Sequence, residues 1–522
     1  MAKKNTDRKV LISIENLKKY FPLKKTSAFQ KEQLYVRAND DITLDIYKGE
    51  TLGLVGESGC GKSTLGRTLL QLYDQTDGRT IYYGRDIDEF APKYVSDILE
   101  DLPAQLRTLD ELREKEKSAQ KLYDSLPEGH EKYRALEKLR VDEKEARILY
   151  LNLAQLIGGF MVADDLDSVS KVLLKEHNLA VEARKIRNKV KEEQIKIEAT
   201  QSLLMEQGKG KEEIEKAAKS GMDRIKNSED ELSKIEKELE AIDINIQKML
   251  DKYRDHPEFE KHEAHKNRGI NLAKLTEEEM RTLRKDLQLI FQDPYSSLNP
   301  RLTVGQIISE GLYAHKMFAK RDRSIQDYIL NTMDECGLAS YFVHRYPHQF
   351  SGGQRQRIGV ARSIALDPKF IVCDEAVSAL DVSIQSQIIN LLLDLKEKEN
   401  LTYLFISHDL SVIKYISDRV GVMYLGNIVE LSETQELYEH PMHPYTEALL
   451  SAIPTTDIED RKEIQVLEGD VPSPIKPPSG CKFHTRCKYA TDICKIVVPK
   501  WEEARPGHFV ACHHKLNGED KQ

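Results

Sequence analysis

The chain has 522 residues, of which 40% are hydrophobic and 32% charged, and its formal net charge is −9. That length allows about three or four compact units. The acidic balance argues against a general nucleic-acid binder, whose domains usually have a pI above ~9. No run approaches the ~18 consecutive apolar residues of a membrane helix, and no signal-peptide core follows the N-terminus. The seven cysteines are therefore expected in a reducing compartment, as metal ligands or free thiols rather than disulfides.

Composition divides the chain into four regions. Short apolar runs separated by turns predict strands near the N-terminus. A block rich in Lys and Glu and poor in Gly follows, then a second globular stretch, and last a tail that carries Pro, His and Cys. The predicted bounds are 1–88, 89–272, 273–430 and 431–522.

The Lys- and Glu-rich block has helical periodicity. Apolar residues recur mostly at steps of three and four, as in a coiled-coil seam. They are Ile225, Leu232, Ile235, Leu239, Ile242, Ile246, Met249 and Tyr253. We predict helices over 166–206 and 211–253 that reverse at Gly208–Gly210 and reach about 60 Å, with a shorter hairpin turning near 126–129. Such an arm is either a charged spacer or a partner-binding element, and we expect that excising 92–270 leaves a folded core.

A phosphate-binding loop follows the apolar strand predicted at 51–55. It matches the pattern G-x-x-x-x-G-K-[ST] and leads into a helix, which is the context that the motif requires. Its residues are Gly56, Glu57, Ser58, Gly59, Cys60, Gly61, Lys62, Ser63 and Thr64. The glycines let backbone N–H groups point at phosphate oxygens at the positive end of the helix. We expect Lys62 to reach the β- and γ-phosphates of a nucleoside triphosphate, and the Ser63 hydroxyl to bind Mg²⁺.

Two acids end a second apolar strand, predicted at 370–373. Asp374 is placed to hold Mg²⁺, and Glu375 is placed to polarise an attacking water as a general base. Two acids after a strand are weak evidence alone. Together with a phosphate loop they indicate hydrolysis of ATP.

A second glycine turn opens another helix further upstream. It consists of Ser351, Gly352, Gly353 and Gln354. A turn of this kind predicts a second anion-binding helix N-terminus. Because one nucleotide needs only one phosphate loop, we expect this second cradle to serve a nucleotide held by another subunit.

In their order along the chain, these motifs resemble those of ABC-transporter ATPase subunits. The set is the phosphate loop, Gln292, the Ser351–Gln354 signature, the acid pair, Asp381 and His408. The resemblance implies an α/β P-loop NTPase (RecA-like) core with a helical subdomain, into which the helical block is inserted and to which the cysteine-bearing tail is appended. It also implies that two such cores pair head to tail around ATP.

The same resemblance assigns roles to single residues. Gln292 is expected to sense Mg²⁺ and the membrane partner, and Asp381 to lie at the seam between the two ATPases. His408 is expected to contact the γ-phosphate and, with Gln292, Glu375 and Lys62, to be catalytic. Adenine is expected to stack on an aromatic residue of the first strand, Phe21 or its neighbour Tyr20.

Further motifs are similar to those of the oligopeptide/dipeptide importer ATPases, and most to the F-type subunit that pairs with a D-type ATPase. They are 293–304, 346–351, 382–385 and 443–446. The resemblance implies peptide import with a D-type ATPase subunit, two transmembrane permease subunits and an extracellular or periplasmic solute-binding protein. It also implies a peripheral position on the cytoplasmic face of the cell membrane and no nucleic-acid partner. Import of nickel or another small solute is the alternative within the family.

A DNA-maintenance ATPase of the SMC or repair type is the alternative from another class, because it too carries a coiled coil inserted into an ABC head. Here the inserted block precedes Gln292, whereas those proteins resemble a head that is split after that residue. Their tails also lack the 443–445 element. A soluble regulatory ATPase without membrane partners is a third possibility.

Four cysteines cluster in the tail: Cys481, Cys487, Cys494 and Cys512. Four thiolates suit Zn²⁺ or an iron–sulfur cluster, and their spacing is wider than that of a zinc ribbon. Because some relatives with this tail resemble [4Fe–4S] binders, we expect that cluster, with Zn²⁺ or free thiols as alternatives. Cys336 and Cys373 are expected to be buried as small apolar groups.

Overall fold

Two β-sheets form the framework of the protein. The computed structural model describes residues 8–25, 33–127, 129–319, 322–453 and 467–517. The strands are β1 (Val10–Pro22), β2 (Tyr35–Tyr47), β3 (Thr51–Val55), β4 (Asp77–Tyr82), β5 (Ile270–Asn271), β6 (Leu287–Ile290), β7 (Phe370–Asp374), β8 (Thr402–Ile406), β9 (Arg419–Tyr424), β10 (Asn427–Glu433), β11 (Glu502–Arg505) and β12 (His508–Val510).

Helices make up most of the remaining described chain. They are α1 (Lys62–Leu69), α2 (Ile87–Phe90), α3 (Lys93–Glu100), α4 (Leu102–Ser125), α5 (His130–Ile157), α6 (Leu166–Glu206), α7 (Lys211–Asp251), α8 (Phe259–Glu263), α9 (Glu277–Leu283), α10 (Val304–Ala314), α11 (Ser324–Glu335), α12 (Gly352–Ile364), α13 (Val382–Glu399), α14 (Leu410–Ile416), α15 (Thr434–Glu439), α16 (Pro444–Ser451) and α17 (Asp492–Ile496). Short 3-10 helices lie at Gly158–Val162, Leu272–Lys274, Ser340–Phe342 and Pro347–Gln349. No helix in the described ranges is long and apolar enough to cross a bilayer.

The larger sheet has the strand order β11-β12-β10-β9-β3-β8-β7-β6. The strands from β9 to β6 pair in parallel, and β10, β12 and β11 extend the sheet in antiparallel. Every residue of β3, β7 and β8 is buried, as is usual for parallel strands that are covered on both faces. Parallel strands end at the same edge of a sheet, so the loops that follow β3 and β7 meet at one edge, beside the end of β8.

The helical block begins and ends at the smaller sheet, whose strand order is β2-β1-β4-β5. β4 precedes the block and β5 follows it, and the two strands pair through Tyr82 and Ile270. The Ile87 amide also donates to the Arg268 carbonyl at 3.0 Å. The two ends of the block therefore lie side by side, as an insertion into one domain requires.

The predicted helical hairpin is confirmed as α6 and α7, two helices of 41 residues each. The apolar seam lies between the two helices, where Ala183, Ile186 and Ile235 form a separate buried cluster. An ion pair between Arg187 and Glu236, 3.3 Å apart, bridges the same part of the two helices. The shorter predicted hairpin corresponds to α4 and α5, but position 128 of its turn lies outside the described residues.

The base of the inserted block is part of the main core. Val169 of α6 and Ile246 of α7 belong to the same apolar cluster as Leu52 and Leu54 of β3. Removing 92–270 would therefore expose core residues. We therefore expect that only the outer half of the α6–α7 hairpin can be removed without loss of the folded core.

Candidate active site

Two glycines of the phosphate loop adopt backbone angles that other residues rarely adopt. Gly59 and Gly61 have φ of 77° and 104°, in the left-handed region that favours glycine. A Cβ on Gly61 would lie 2.1 Å from the Ala38 carbonyl oxygen, so the β2 backbone lies directly against the loop. The Asn39 side-chain amide donates to the Gly61 carbonyl at 3.0 Å. β2 thus fixes the turn at which α1 begins.

Lys62 is folded into this loop. Its ammonium donates to the Gly56 carbonyl at 2.7 Å and to the Glu57 carbonyl at 3.1 Å, and the residue is buried. Cys60 Sγ lies 3.6 Å from the same ammonium, and among the described residues no carboxylate pairs with Lys62. The loop therefore combines a fixed cation with the N-terminus of α1, as phosphate binding requires.

Of the three residues predicted at the Mg²⁺ site, Ser63 of α1 and Asp374 of β7 are in contact, whereas Gln292 contacts Glu375. The Ser63 hydroxyl donates to Asp374 Oδ1 at 2.5 Å, although the residues are 311 positions apart. Arg67 contacts the other oxygen, Oδ2, at 3.2 Å. Hydroxyl and carboxylate oxygens are ligands that Mg²⁺ prefers, so this pair fits the ion.

Two of the predicted catalytic residues, Gln292 and His408, lie next to the carboxylate of a third, Glu375. Glu375 directly follows β7 and has a positive φ of 49°, so the chain turns sharply there. The Gln292 side-chain amide donates to Glu375 Oε2 at 2.6 Å. His408 Nδ1 lies 3.7 Å from the same oxygen. The structure thus brings Gln292, Glu375 and His408 together beside Asp374, at the edge where the parallel strands end.

The Ser351–Gln354 signature caps α12. The Ser351 hydroxyl accepts from the Gln354 amide at 3.3 Å, and the Gln354 side chain accepts from the Ser351 amide at 3.1 Å. Within the described part of the chain, no hydrogen bond or ion pair joins this signature to the phosphate loop. Asp381 caps α13 through the Ile384 amide at 3.0 Å. The signature is therefore a separate helix N-terminus rather than a wall of the chain's own loop.

The adenine-stacking residue stays a prediction. The Tyr20 hydroxyl donates to Asp40, and its ring lies 5.7 Å from the Arg37 guanidinium. Phe21 is half-buried, and its ring meets Tyr73 edge-on at 5.3 Å between centroids. The Lys19 ammonium also lies 4.8 Å from the Phe21 ring centroid, so both rings face a cation and these contacts do not distinguish the two as the adenine platform.

The four tail cysteines come together. Cys481, Cys487, Cys494 and Cys512 line one small cavity, along with His443. Burial raises the pKa of the Cys481 thiol to about 11 and that of Cys512 to about 12, so the cavity favours neutral thiols unless a cation is bound. The described residues nevertheless contain no group of three or more His, Cys, Asp or Glu side chains placed to hold a metal ion.

One polar atom beside the cavity lacks a partner. His443 is buried, and its Nε2 has no hydrogen-bond partner in the described structure. Buried polar atoms are usually satisfied by protein, ordered water or an ion, so such an exception calls for an explanation. Cys336 and Cys373 are buried elsewhere, as expected for small apolar groups, and Cys60 is buried in the phosphate loop.

Sequence reasoning missed two arginines of this region. Arg67 follows Ser63 by one helical turn, so its spacing on α1 was an available signal. Arg486 pairs with Glu57 of the phosphate loop at 2.7 Å, across 429 positions of sequence. No local pattern connects those two residues, and only the folded chain reveals the contact.

The chain matches two protein-family models. The family model described as "ABC transporter" matches residues 39–163 and 258–378, and the stretch between these parts contains α6 and α7. The model described as "Oligopeptide/dipeptide transporter, C-terminal region" matches residues 429–494.

Curated relatives match at high identity. The oligopeptide transport ATP-binding protein AppF of Bacillus subtilis is 54% identical over 47% of this chain and 75% of its own length. A putative peptide import ATP-binding protein of Brucella ovis is 53% identical over 47% of this chain and 76% of its own length. The putative oligopeptide transport ATP-binding protein YkfD of Bacillus subtilis is 52% identical over 49% of this chain and 78% of its own length. The chain therefore belongs to the ATP-hydrolysing subunits of ABC transporters, in the oligopeptide/dipeptide group of that family.

Proposed function

We propose that this chain is the ATP-hydrolysing motor of an importer for oligopeptides or dipeptides. The observation that carries the proposal is the convergence of Gln292, Glu375 and His408 next to the Ser63–Asp374 pair. These residues form a water-activating carboxylate beside an Mg²⁺ site, at the end of a phosphate loop. Peptide as the transported solute is supported by the names of the relatives and by the match of the C-terminal region.

The proposed hydrolysis follows from the residues. Lys62 and the N-terminus of α1 hold the phosphate chain of ATP, and Mg²⁺ held by Ser63 and Asp374 would neutralise the charge that develops on it. Glu375 accepts a hydrogen bond and a proton from the attacking water. Gln292 orients that carboxylate through its 2.6 Å contact, and His408 is near enough to reach the γ-phosphate.

The proposed assembly is a pair of ATPases. The Ser351–Gln354 signature would cover a nucleotide held by the partner's phosphate loop, with Asp381 at the seam. The proposed partner is a D-type ATPase, and the pair would drive two permease subunits that receive solute from an extracellular or periplasmic binding protein. This places the chain on the cytoplasmic face of the membrane, where closing of the pair moves the permease.

Uptake measurements test which solute the importer transports. Cells that lack the chain are complemented with wild-type protein, and uptake of a labelled tetrapeptide is compared with uptake of labelled Ni²⁺. We expect peptide uptake alone to be restored. Restored Ni²⁺ uptake without peptide uptake would favour the small-solute alternative, and ATPase activity stimulated by DNA would favour the DNA-maintenance class.

We also propose that 89–272 is an arm inserted in the ATPase core and that its outer part is an antiparallel coiled coil. The arm reaches the segment between α10 and α11. Lys316 and Glu192 are 2.7 Å apart, and Arg323 and Glu206 are 3.3 Å apart. The arm would thus brace the helical subdomain that carries the signature.

Trimming the arm tests this proposal. We expect that replacing 191–229 with a short Gly-Ser linker gives a soluble protein that binds ATP, with a Tm lower by only a few degrees. Exposed ion pairs such as those of Glu192 and Glu206 contribute ~0–1 kcal/mol each. Thermal unfolding and nucleotide binding measure the result. Excision of 92–270 is the contrasting control and should aggregate; an insoluble trimmed protein would contradict the proposed boundary.

We propose a [4Fe–4S] cluster as the ligand of the four tail cysteines, with Zn²⁺ as the alternative. Four thiols around one cavity, one buried and three half-buried, together with the unpartnered His443 Nε2, support a bound metal. Protein purified without oxygen should contain about four iron and four sulfide per chain. Iron and sulfide analysis measures this, with Cys494→Ser as the variant expected to lose both. Stoichiometric zinc without sulfide would support the alternative, and neither metal would refute the site.

A further inference from the structure

A short segment bounded by two of the cavity cysteines, Cys481–Cys487, lies directly against the phosphate loop. Its Arg486 donates to both carboxylate oxygens of Glu57, with Nη1–Oε2 at 2.7 Å and Nη2–Oε1 at 3.1 Å. The Arg486 side chain is only 6% exposed. A two-pronged guanidinium–carboxylate pair of this kind fixes orientation as well as distance.

Glu57 is held from the same side through its backbone. Its amide donates to the Tyr445 hydroxyl at 2.9 Å. Its carbonyl, in turn, accepts from the Lys62 ammonium at 3.1 Å. The C-terminal region therefore fixes the residue that helps to set the position of the phosphate-binding lysine.

The segment that carries Arg486 is itself anchored to the ATPase core. Phe483 is buried and packs against Tyr445, with 5.4 Å between ring centroids. The Lys482 ammonium donates to Asp40 at 2.9 Å. Its ends are held as well, because the Cys481 amide donates to the Cys494 carbonyl at 2.8 Å and the Cys487 carbonyl accepts from the Ala490 amide at 3.2 Å.

We propose that Arg486 is a positioning residue for the phosphate loop. Its fork holds the Glu57 carboxylate, and the Glu57 carbonyl in turn holds the Lys62 ammonium. A loop that is fixed in this geometry beforehand binds a phosphate chain at a lower entropic cost. The inference rests on the proposed nucleotide site at the phosphate loop.

Equilibrium binding of a fluorescent ATP analogue with Mg²⁺ to the full chain tests the role of Arg486. We expect Arg486→Gln to raise Kd about tenfold, because a charge-assisted pair next to the loop is lost. Arg486→Lys should raise Kd less, since it keeps the charge but not the fork. Arg419→Gln is the matched control: Arg419 is equally buried, at 6%, and pairs with Glu50 at the other end of β3. It should lower Tm and change Kd by less than twofold.

An Arg486→Gln protein with the Kd of Arg419→Gln would overturn the positioning role. Lys62→Ala separates this inference from the proposed function. Loss of binding in Lys62→Ala, with an unchanged Kd in Arg486→Gln, refutes the inference alone. Binding that survives Lys62→Ala refutes the proposed nucleotide site.

Discussion

A Glu375→Gln protein should bind ATP with Mg²⁺ normally and hydrolyse it about 10³-fold more slowly at the site built on this chain's phosphate loop. A glutamine side chain has nearly the same shape and can still accept from the Gln292 amide. It cannot accept a proton from water, and general-base catalysis contributes about 10²–10⁴-fold. Single-turnover hydrolysis in the purified assembly measures the loss, and gel filtration with ATP should show a longer-lived ATPase pair.

Glu399→Gln provides the matched control for that variant. Glu399 is exposed at the end of α13, and the same chemical change there should leave turnover within about twofold. Replacement of the Gln292 side chain should give a smaller loss of turnover, because it removes the hydrogen bond that orients Glu375 but leaves the base in place. Turnover in Glu375→Gln equal to that of Glu399→Gln would exclude Glu375 as the base.

Local patterns predicted much of this site. The phosphate loop was predictable because its glycines, lysine and hydroxyl act within nine residues, where backbone geometry is set locally. The α6–α7 hairpin was predictable because its apolar seam repeats over many turns. Asp374 and Glu375 were predictable because a buried parallel strand must end at a sheet edge, and acids placed there face the loop after β3.

Contacts between distant segments that no motif marks were beyond sequence reasoning. The pair of Arg486 and Glu57 has no periodicity and no spacing rule, because tertiary packing alone brings the tail onto the phosphate loop. The shared core was missed for a related reason. Val169 and Ile246 fit a helical seam equally well whether they pack only within the hairpin or also join the main core, and periodicity gives the buried face of a helix but not its partner.

The second large loss of turnover is expected from a substitution in the Ser351–Gln354 signature. Ser351→Asp should abolish most coupled turnover in the assembled pair, about 10²-fold, while the lone chain binds ATP with unchanged affinity. Aspartate is as good a helix cap as serine, so α12 keeps its N-terminus and the protein its stability. Its negative charge, however, lies where the partner's γ-phosphate is expected, and electrostatic groups at such positions contribute about 10²–10³-fold.

Ser351→Asn isolates the charge from the change in shape. Asparagine also caps helices well and is neutral, so this variant should retain much more turnover than Ser351→Asp, with the same Tm. ATP hydrolysis of the assembled pair, nucleotide binding of the lone chain and thermal unfolding are the three measurements. If the lone chain hydrolysed ATP at the rate of the pair and Ser351→Asp had no effect in either, the second cradle would serve no nucleotide. A charge that acts only after assembly would instead mean that the active site is completed by two chains, and hydrolysis would then be tied to closing of the pair.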